Sequence, residues 1–232
     1  MENSIYWYYI LPLIGFLITV VAQIFISFNY KKYKSVQTRR GMSGFDVARK
    51  ILDKNGLKDV HVVEVKGQLT DHYDPKRKVV RLSSDIFHGS TVASNGVAAH
   101  ECGHAIQDKE GYSFMRIRSM LVPFVNLSTK LGYIVIGVGL IFWMMDWMLI
   151  GIILLIAMLV FQLVTLPVEF DASRRGKREL DNLNILSGEE LDGSNKMLKA
   201  AAYTYVAALL STFLEIFRYV LIFASNNRDW FK

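Results

Sequence analysis

The sequence has a single cysteine, Cys102, so no disulfide can form within the chain and nothing indicates an oxidising compartment. Internal repeats and low-complexity segments are absent as well. Histidine is scarce, and none follows His104. A metal ligand later in the chain would therefore have to be a carboxylate.

Charge is missing from long parts of the chain, although the 232 residues include 27 Lys and Arg and 21 Asp and Glu. Hydrophobic residues make up 52% of the sequence. This separation is typical of a membrane protein with polar segments between its spans. The net charge of +6 does not predict nucleic-acid binding, because the basic residues cluster beside apolar stretches, as topology signals do. These residues are Lys31, Lys32, Lys34, Arg39, Arg40, Arg174, Arg175, Lys177 and Arg178.

Apolar stretches predict three or four membrane helices. Residues 5–28 form an uncharged stretch and predict a retained first span rather than a cleaved signal peptide. Residues 121–168 contain only two charges, Lys130 and Asp146, and are too long for one span. They predict a hairpin of two spans with Asp146 at its tip. Residues 200–224 predict a fourth helix, either spanning or interfacial.

Polar residues fill the intervening segments, 29–120 and 169–199. The first segment predicts a small peptidase domain with a helix from Ser43 to about Lys54 and a second from near Ser90 or Thr91 to about Lys109. Strands are expected at His61–Val65 and at residues 79–82. The second segment is expected to be helical. The predicted fold class is mixed α/β, mainly α, with a small zinc-peptidase domain joined to a helical membrane bundle.

Basic residues after the first span and after the hairpin predict that both polar segments face the cytoplasm, with the N-terminus outside. Trp143 and Trp147 flank the hairpin tip, as aromatic residues do at a membrane interface.

The sequence His100-Glu101-Cys102-Gly103-His104 has the HExxH pattern. Residues four apart share one face of a helix, so the two imidazoles can bind one Zn²⁺. Glu101 is placed to act as general base on a water at the open metal position. The surrounding residues are apolar and helix-forming, which favours a buried metal helix over a surface helix with two incidental histidines.

A catalytic zinc site needs a third protein ligand, and Glu169 is the best candidate. A ligand beyond the hairpin can reach the metal only after an even number of membrane crossings, and the hairpin supplies two. We expect Glu169 at the start of a helix, where the alternative role is a carboxylate stabilised by the helix dipole. His61, His72 and His88 remain alternatives.

Leu191-Asp192-Gly193 is similar to the LDG sequence that supplies a zinc ligand in intramembrane site-2 proteases. In those enzymes the HExxH motif lies within a membrane span. Here polar residues flank the motif on both sides, which does not suit hydrocarbon. The more ordinary expectation for Asp192-Gly193 is a turn.

The order of an anchor, DHYDP, VRLS, VAAHECGHAIQ, a hairpin and LPVEFDASRR resembles the YugP-type family of neutral zinc membrane peptidases of bacteria. The resemblance covers nearly the whole chain. It implies one Zn²⁺ per chain, activity at the bacterial cytoplasmic (inner) membrane, and His100, His104 and Glu169 as ligands with Glu101 as base. The pattern also resembles the HtpX-type membrane gluzincins, except that Ser173 stands where they have aspartate.

Ser173 or Asp171 is therefore a candidate for orienting a zinc-binding histidine. Weaker candidates for stabilising the oxyanion are Arg174, Arg175 and Tyr112. Extended substrate is expected along an edge strand formed by Val79, Val80, Arg81 and Leu82.

The predicted function is a zinc-dependent endopeptidase that acts on membrane or membrane-proximal proteins at the cytoplasmic side. Its expected partners are the lipid bilayer and a peptide or membrane-protein substrate; a homo-oligomer or another membrane partner is left open. The rivals are a non-hydrolytic scaffold or chaperone-like protein and a site-2-type protease using Asp192. A purely structural metal site, closed by Cys102, would require the helix to distort.

Overall fold

The computed structural model describes residues 2–67 and 69–226 and confirms a mainly helical mixed α/β fold. In chain order, the elements are α1 (Glu2–Lys34), α2 (Gly44–Lys54), β1 (His61–Val65), β2 (His72–Asp74), β3 (Val79–Ser83), α3 (Ser84–His88), α4 (Val92–Lys109), α5 (Ser113–Ile141), α6 (Met145–Asn182) and α7 (Glu189–Asn226).

Four of these helices, α1, α5, α6 and α7, are long and apolar enough to cross a membrane. The fourth apolar stretch therefore lies in a helix of spanning length. Helix α6 continues past its apolar part into polar sequence, from Glu169 to Asn182. The chain separates into two compact units. The first consists of Met1–Gln23, Ile117–Leu166 and Thr204–Lys232, and the second of Ile24–Arg116 and Pro167–Tyr203.

In the first unit, small residues let helices pack closely, as membrane helices commonly do. A Cβ on Gly151 would lie 2.8 Å from the Gly132 carbonyl oxygen, so α5 and α6 meet backbone to backbone there. Hydrogen bonds between polar side chains join α7 to α5 and to α6. Gln162 donates to Thr212 at 3.0 Å between α6 and α7, and Tyr133 donates to Glu215 at 3.0 Å between α5 and α7.

In the second unit, a three-stranded sheet has the order β1-β3-β2. Strand β3 pairs with β1 in parallel and with β2 in antiparallel orientation. The sheet, α2 and α4 share one apolar core, in which Ile51, Leu82 and Cys102 are fully buried.

The predicted helix and strand positions in this unit are confirmed. A capping box begins α2, because Ser43 accepts from the Asp46 backbone N–H and Asp46 accepts from that of Ser43. Thr91 caps α4 through a hydrogen bond from the Ser94 N–H. Two short elements, β2 and α3, were not predicted.

The prediction that residues 79–82 form an edge strand is wrong. These residues form β3, the central strand, and its two flanks are occupied by β1 and β2. A substrate strand cannot add to a strand whose backbone groups are already paired on both sides. The prediction failed because β2 could not be recognised in the sequence. This strand has only three residues, and they are polar: His72-Tyr73-Asp74.

Two predictions about helix ends are also wrong. Glu169 does not start a helix, because α6 begins at Met145 and continues through Pro167 without a break. The helix dipole at an N-terminus therefore does not explain this carboxylate. Asp192 and Gly193 do not form a turn either; they lie in the first turns of α7, where Gly193 packs against the ring of Tyr33.

Helices α4 and α6 approach each other very closely at two glycines. A Cβ on Gly103 would lie 2.3 Å from the carbonyl oxygen of Ala172. A Cβ on Gly176 would lie 2.7 Å from the carbonyl oxygen of Ala99. Both obstacles are backbone atoms, which cannot rotate away as a side chain can. The distance between the two helices therefore depends on the absence of side chains at these positions.

We predict that Gly103→Ala destabilises the protein by about 1–3 kcal/mol, the usual cost of overpacking a core. Thermal unfolding in detergent measures the effect. Gly137→Ala is the matched control, because a Cβ on this helical glycine meets nothing within 4 Å. A Gly103→Ala protein as stable as the control would show that the two backbones are not in contact.

Candidate metal centre

His100 and His104 lie one helical turn apart on α4, and their rings are 4.8 Å apart between centroids in an edge-to-face arrangement. Both imidazoles are largely buried, with side-chain exposures of 15% for His100 and 9% for His104. The Nε2 atoms of both rings face the carboxylate of Glu169 on α6. Glu169 Oε2 lies 3.4 Å from the Nε2 of His100 and 3.7 Å from that of His104.

These three side chains form a cluster whose potential ligand atoms all lie within 4.8 Å of one another. Donor atoms that bind a tetrahedral Zn²⁺ at about 2.0–2.1 Å lie about 3.3–3.4 Å apart. The measured Nε2–Oε2 distances are close to this value. Two imidazoles and one carboxylate are also a donor set of catalytic zinc sites. The cluster therefore fits Zn²⁺ in both chemistry and spacing.

The second ring nitrogen of each histidine has its own hydrogen-bond partner. His100 Nδ1 lies 3.1 Å from the Ser173 hydroxyl. His104 Nδ1 lies 3.0 Å from the Gln107 side-chain carbonyl. These contacts leave Nε2 of each ring directed toward Glu169. Ser173 thus contacts a histidine directly, while Asp171, the other candidate for this role, does not.

Gln107 was not identified from the sequence as a partner of His104. The hydrogen bonds of its side-chain amide show this role. Its Nε2 donates to the Val168 carbonyl at 2.8 Å and to Asp171 at 2.9 Å, so both amide hydrogens are used. Its Oε1 must then accept from His104, which fixes a proton on His104 Nδ1 and leaves Nε2 as the atom of the neutral ring that can bind a metal. Asp171 acts on the histidine through Gln107. The signal in the sequence was the spacing, since Gln107 follows His104 by one helical turn.

Burial alone would raise the pKa of Glu169, but hydrogen bonds and charge interactions with His100 and His104 outweigh it. Together they hold the pKa of this carboxyl well below its usual range. Glu169 is 3% exposed. It is therefore a buried anion directed at two imidazoles, which is the electrostatic arrangement of a cation site.

Glu101 lies on α4 beside the cluster and is buried. Burial raises the pKa of Glu101 to about 7; the charges of Glu169 and Asp71 add to this, while His100 and a hydrogen bond from the Tyr73 backbone N–H oppose it. A carboxyl group whose pKa is near 7 is matched to proton transfer at neutral pH. The hydrogen bond also ties Glu101 to strand β2.

Arg174, Arg175 and Tyr112 form a separate local network. Both arginines pair with Asp171, and Arg175 also pairs with Glu110. The Arg175 guanidinium lies 5.9 Å from the centre of the Tyr112 ring. Arg174 is 80% exposed at its side chain. These contacts hold Asp171 in place, and an oxyanion role stays a prediction for all three residues.

Other candidates from the sequence lie outside the cluster that the described residues form. Asp192 is exposed on α7, and His61, His72 and His88 are exposed on β1, β2 and α3. Cys102 is fully buried in the core, where its thiol contacts the Ala48 carbonyl at 3.6 Å. It therefore faces away from the histidines, as expected from the helix periodicity.

We predict that Gln107→Met lowers zinc affinity by about 10–100-fold, the usual cost of removing the partner of a zinc-binding histidine. Competition with a fluorescent zinc chelator measures the affinity. Gln37→Met is the matched control, because Gln37 contacts Ser90 at the surface. Equal affinities for the two variants would exclude a role for Gln107 in orienting His104.

Comparisons with known proteins identify the family of the chain. A family profile described as "Putative neutral zinc metallopeptidase" matches residues 8–224. A protein of Bacillus subtilis (strain 168), named "Putative membrane protease YugP", is 43% identical over 208 residues, covering 90% of this chain and 92% of that protein. No solved structure matches. The match extends over nearly the whole chain, membrane helices included, and the chain belongs to this family of neutral zinc metallopeptidases.

Proposed function

We propose that this protein is a zinc-dependent endopeptidase of the bacterial cytoplasmic membrane, with one Zn²⁺ per chain bound by His100, His104 and Glu169. The observation that carries the proposal is the convergence of two imidazole Nε2 atoms and one buried carboxylate, with Glu101 next to them. A structural site would need a fourth protein ligand, and the cluster among the described residues has three.

Bound zinc supplies a Lewis acid that polarises a carbonyl group and lowers the pKa of water towards about 7. Glu101 accepts a proton from the attacking water and later donates it to the leaving amine. Its burial supports this role, because a carboxyl group with a pKa near 7 can both take up and release a proton at neutral pH. Ser173 and Gln107 keep the two imidazoles oriented.

Extended substrate cannot pair with β3, the central strand. Strand β2 lies at an edge of the sheet, but its Tyr73 backbone N–H already donates to Glu101. In this proposal β2 therefore holds the catalytic carboxylate in place rather than binding the substrate strand.

The substrates are membrane proteins or membrane-proximal segments, cut on the cytoplasmic side. Two observations support this proposal: four helices of spanning length, and basic residues that follow the first span and the hairpin. The bilayer and a peptide segment are the expected partners, and nucleic acid is not. The relative from Bacillus subtilis is named "Putative membrane protease YugP", which supports the membrane location.

The alternatives have less support. A scaffold that does not hydrolyse peptides has no need of a buried carboxyl group beside the metal ligands, and Glu101 is such a group. A site-2-type protease would use Asp192, which is exposed and lies outside the cluster of the described residues.

We predict that the purified protein binds about one zinc per chain and that Glu169→Ala loses it, because two imidazoles alone bind zinc weakly. Asp192→Ala should keep the metal and serves as the matched acidic control. Metal analysis in detergent gives the zinc content. Zinc loss in Asp192→Ala with retention in Glu169→Ala would instead support the site-2-type mechanism.

Glu101→Gln should retain zinc and reduce hydrolysis of an unfolded protein substrate by about 10²–10⁴-fold, the usual contribution of a general base. A chelator should abolish wild-type activity, and added zinc should restore it. Undiminished hydrolysis by Glu101→Gln would show that another group activates water.

The orientation of the hairpin can be tested separately. We predict that a reporter fused near Asp146 is labelled from outside the cell, because the tip joins two spans whose other ends face the cytoplasm. A reporter fused near Gly188 should be protected. Cytoplasmic labelling at the tip would reverse the proposed orientation and move the active site to the other side.

A further inference from the structure

Lys130 is a charged residue inside the apolar helix α5. At about 1.5 Å per residue, it lies about 14 Å from Leu121 and about 17 Å from the end of the helix at Ile141. The hydrocarbon core of a bilayer is about 30 Å thick. The apolar part of α5 thus places Lys130 near the middle of the membrane, where a charge is rare and marks function by default.

Lys130 lines an open cavity of about 230 Å³ within the first unit. Its lining has two parts. Asn126, Thr129 and Lys130 form a polar stripe on one face of α5, because they are spaced three and four residues apart. The rest is apolar and comes from both helices of the hairpin, namely Val122, Val125, Met158 and Phe161.

Two groups in the lining lack partners within residues 2–67 and 69–226. The Thr129 hydroxyl is buried without a hydrogen bond. The Lys130 side chain is exposed in the structure, and no ion pair or hydrogen bond of it is found there. A lysine side chain is about 6 Å long and leans toward the start of its helix. This length is too short to bring the Lys130 ammonium to the membrane surface.

Two other charged residues of this unit, Glu215 and Arg218, lie close to each other. Glu215 accepts from Tyr133 at 3.0 Å and lies 3.9 Å from Arg218, so its charge is compensated within the protein. The described spans thus hold no free carboxylate at this depth, since Asp146 lies at the start of α6. A second copy of this chain therefore has no obvious anion to offer Lys130.

We propose that the face of the hairpin around this cavity packs against a transmembrane helix of another membrane protein, and that the side chain of an aspartate or glutamate in that helix enters the cavity and pairs with Lys130. A lysine charge near the middle of the membrane is costly unless an anion pairs with it. The apolar lining of the cavity can pack against the neighbouring side chains of such a helix. Asn126 and Thr129 supply further hydrogen bonds. The partner is a membrane protein with an acidic residue near the centre of a span, and the proposal is independent of the metal centre.

The test uses the full-length protein in phosphatidylcholine nanodiscs. The probes are two fluorescent transmembrane peptides of alanine and leucine that differ only in having aspartate or leucine at the centre. Energy transfer measures binding. Wild type should bind the aspartate peptide at least tenfold more tightly than the leucine peptide. Lys130→Met should lose this preference, and Lys130→Arg should keep it.

Leu127→Met is the matched control, because Leu127 is exposed on α5 but does not line the cavity. Zinc content should be unchanged in all variants, which separates this test from that of the metal centre. Equal binding of both peptides to wild type overturns the proposal, as does an unchanged preference in Lys130→Met. The same energy-transfer measurement is made with fluorescent phosphatidylglycerol added to the nanodiscs. If wild type binds this lipid, Lys130→Met does not, and the two peptides bind alike, the cavity is a lipid site and the proposal is overturned.

Discussion

The metal centre depends on the close approach of α4 and α6. Gly103 and Gly176 allow each helix to contact the backbone of the other, so that ligands on facing sides can share one ion. The same face of α6 carries Glu169, Ala172, Ser173 and Gly176, because these residues are spaced three and four apart. One helix face thus provides the third ligand, a partner for His100 and the contacts that set the distance.

Hydrogen bonds around the cluster determine what it can bind. Because Gln107 donates through both amide hydrogens, His104 must donate from Nδ1, and its neutral ring presents the lone pair at Nε2. Asp171 fixes Gln107, and two arginines in turn hold Asp171. A charge network that reaches the surface at Arg174 thereby orients a buried imidazole through an intervening amide. This arrangement explains why the polar sequence directly after Glu169 contains both acidic and basic residues.

The sequence permitted prediction of the features that depend on local pattern: the capped helices, two of the strands and the spacing of the two histidines. It also led to Glu169, through the count of membrane crossings. Features that depend on neighbours distant in the chain were missed. Strand β2 is short and polar, so its pairing with β3 has no local signal, and the sequence pattern alone predicts an edge strand at β3. The role of Gln107 depends on its hydrogen bond to Asp171 on α6, which lies far away in the sequence.

The position of Glu169 within α6 gives a stronger argument for a metal than the predicted helix start would have given. At an N-terminus, the helix dipole could stabilise a carboxylate. In the middle of a helix, with 3% of its surface exposed, Glu169 needs another compensating charge. Its neighbours on the ligand side are the imidazole nitrogens of His100 and His104, which supply this charge through hydrogen bonds when the rings are protonated. Zn²⁺ would supply it when the rings are neutral and present their Nε2 lone pairs, and it is a cation that suits these donors.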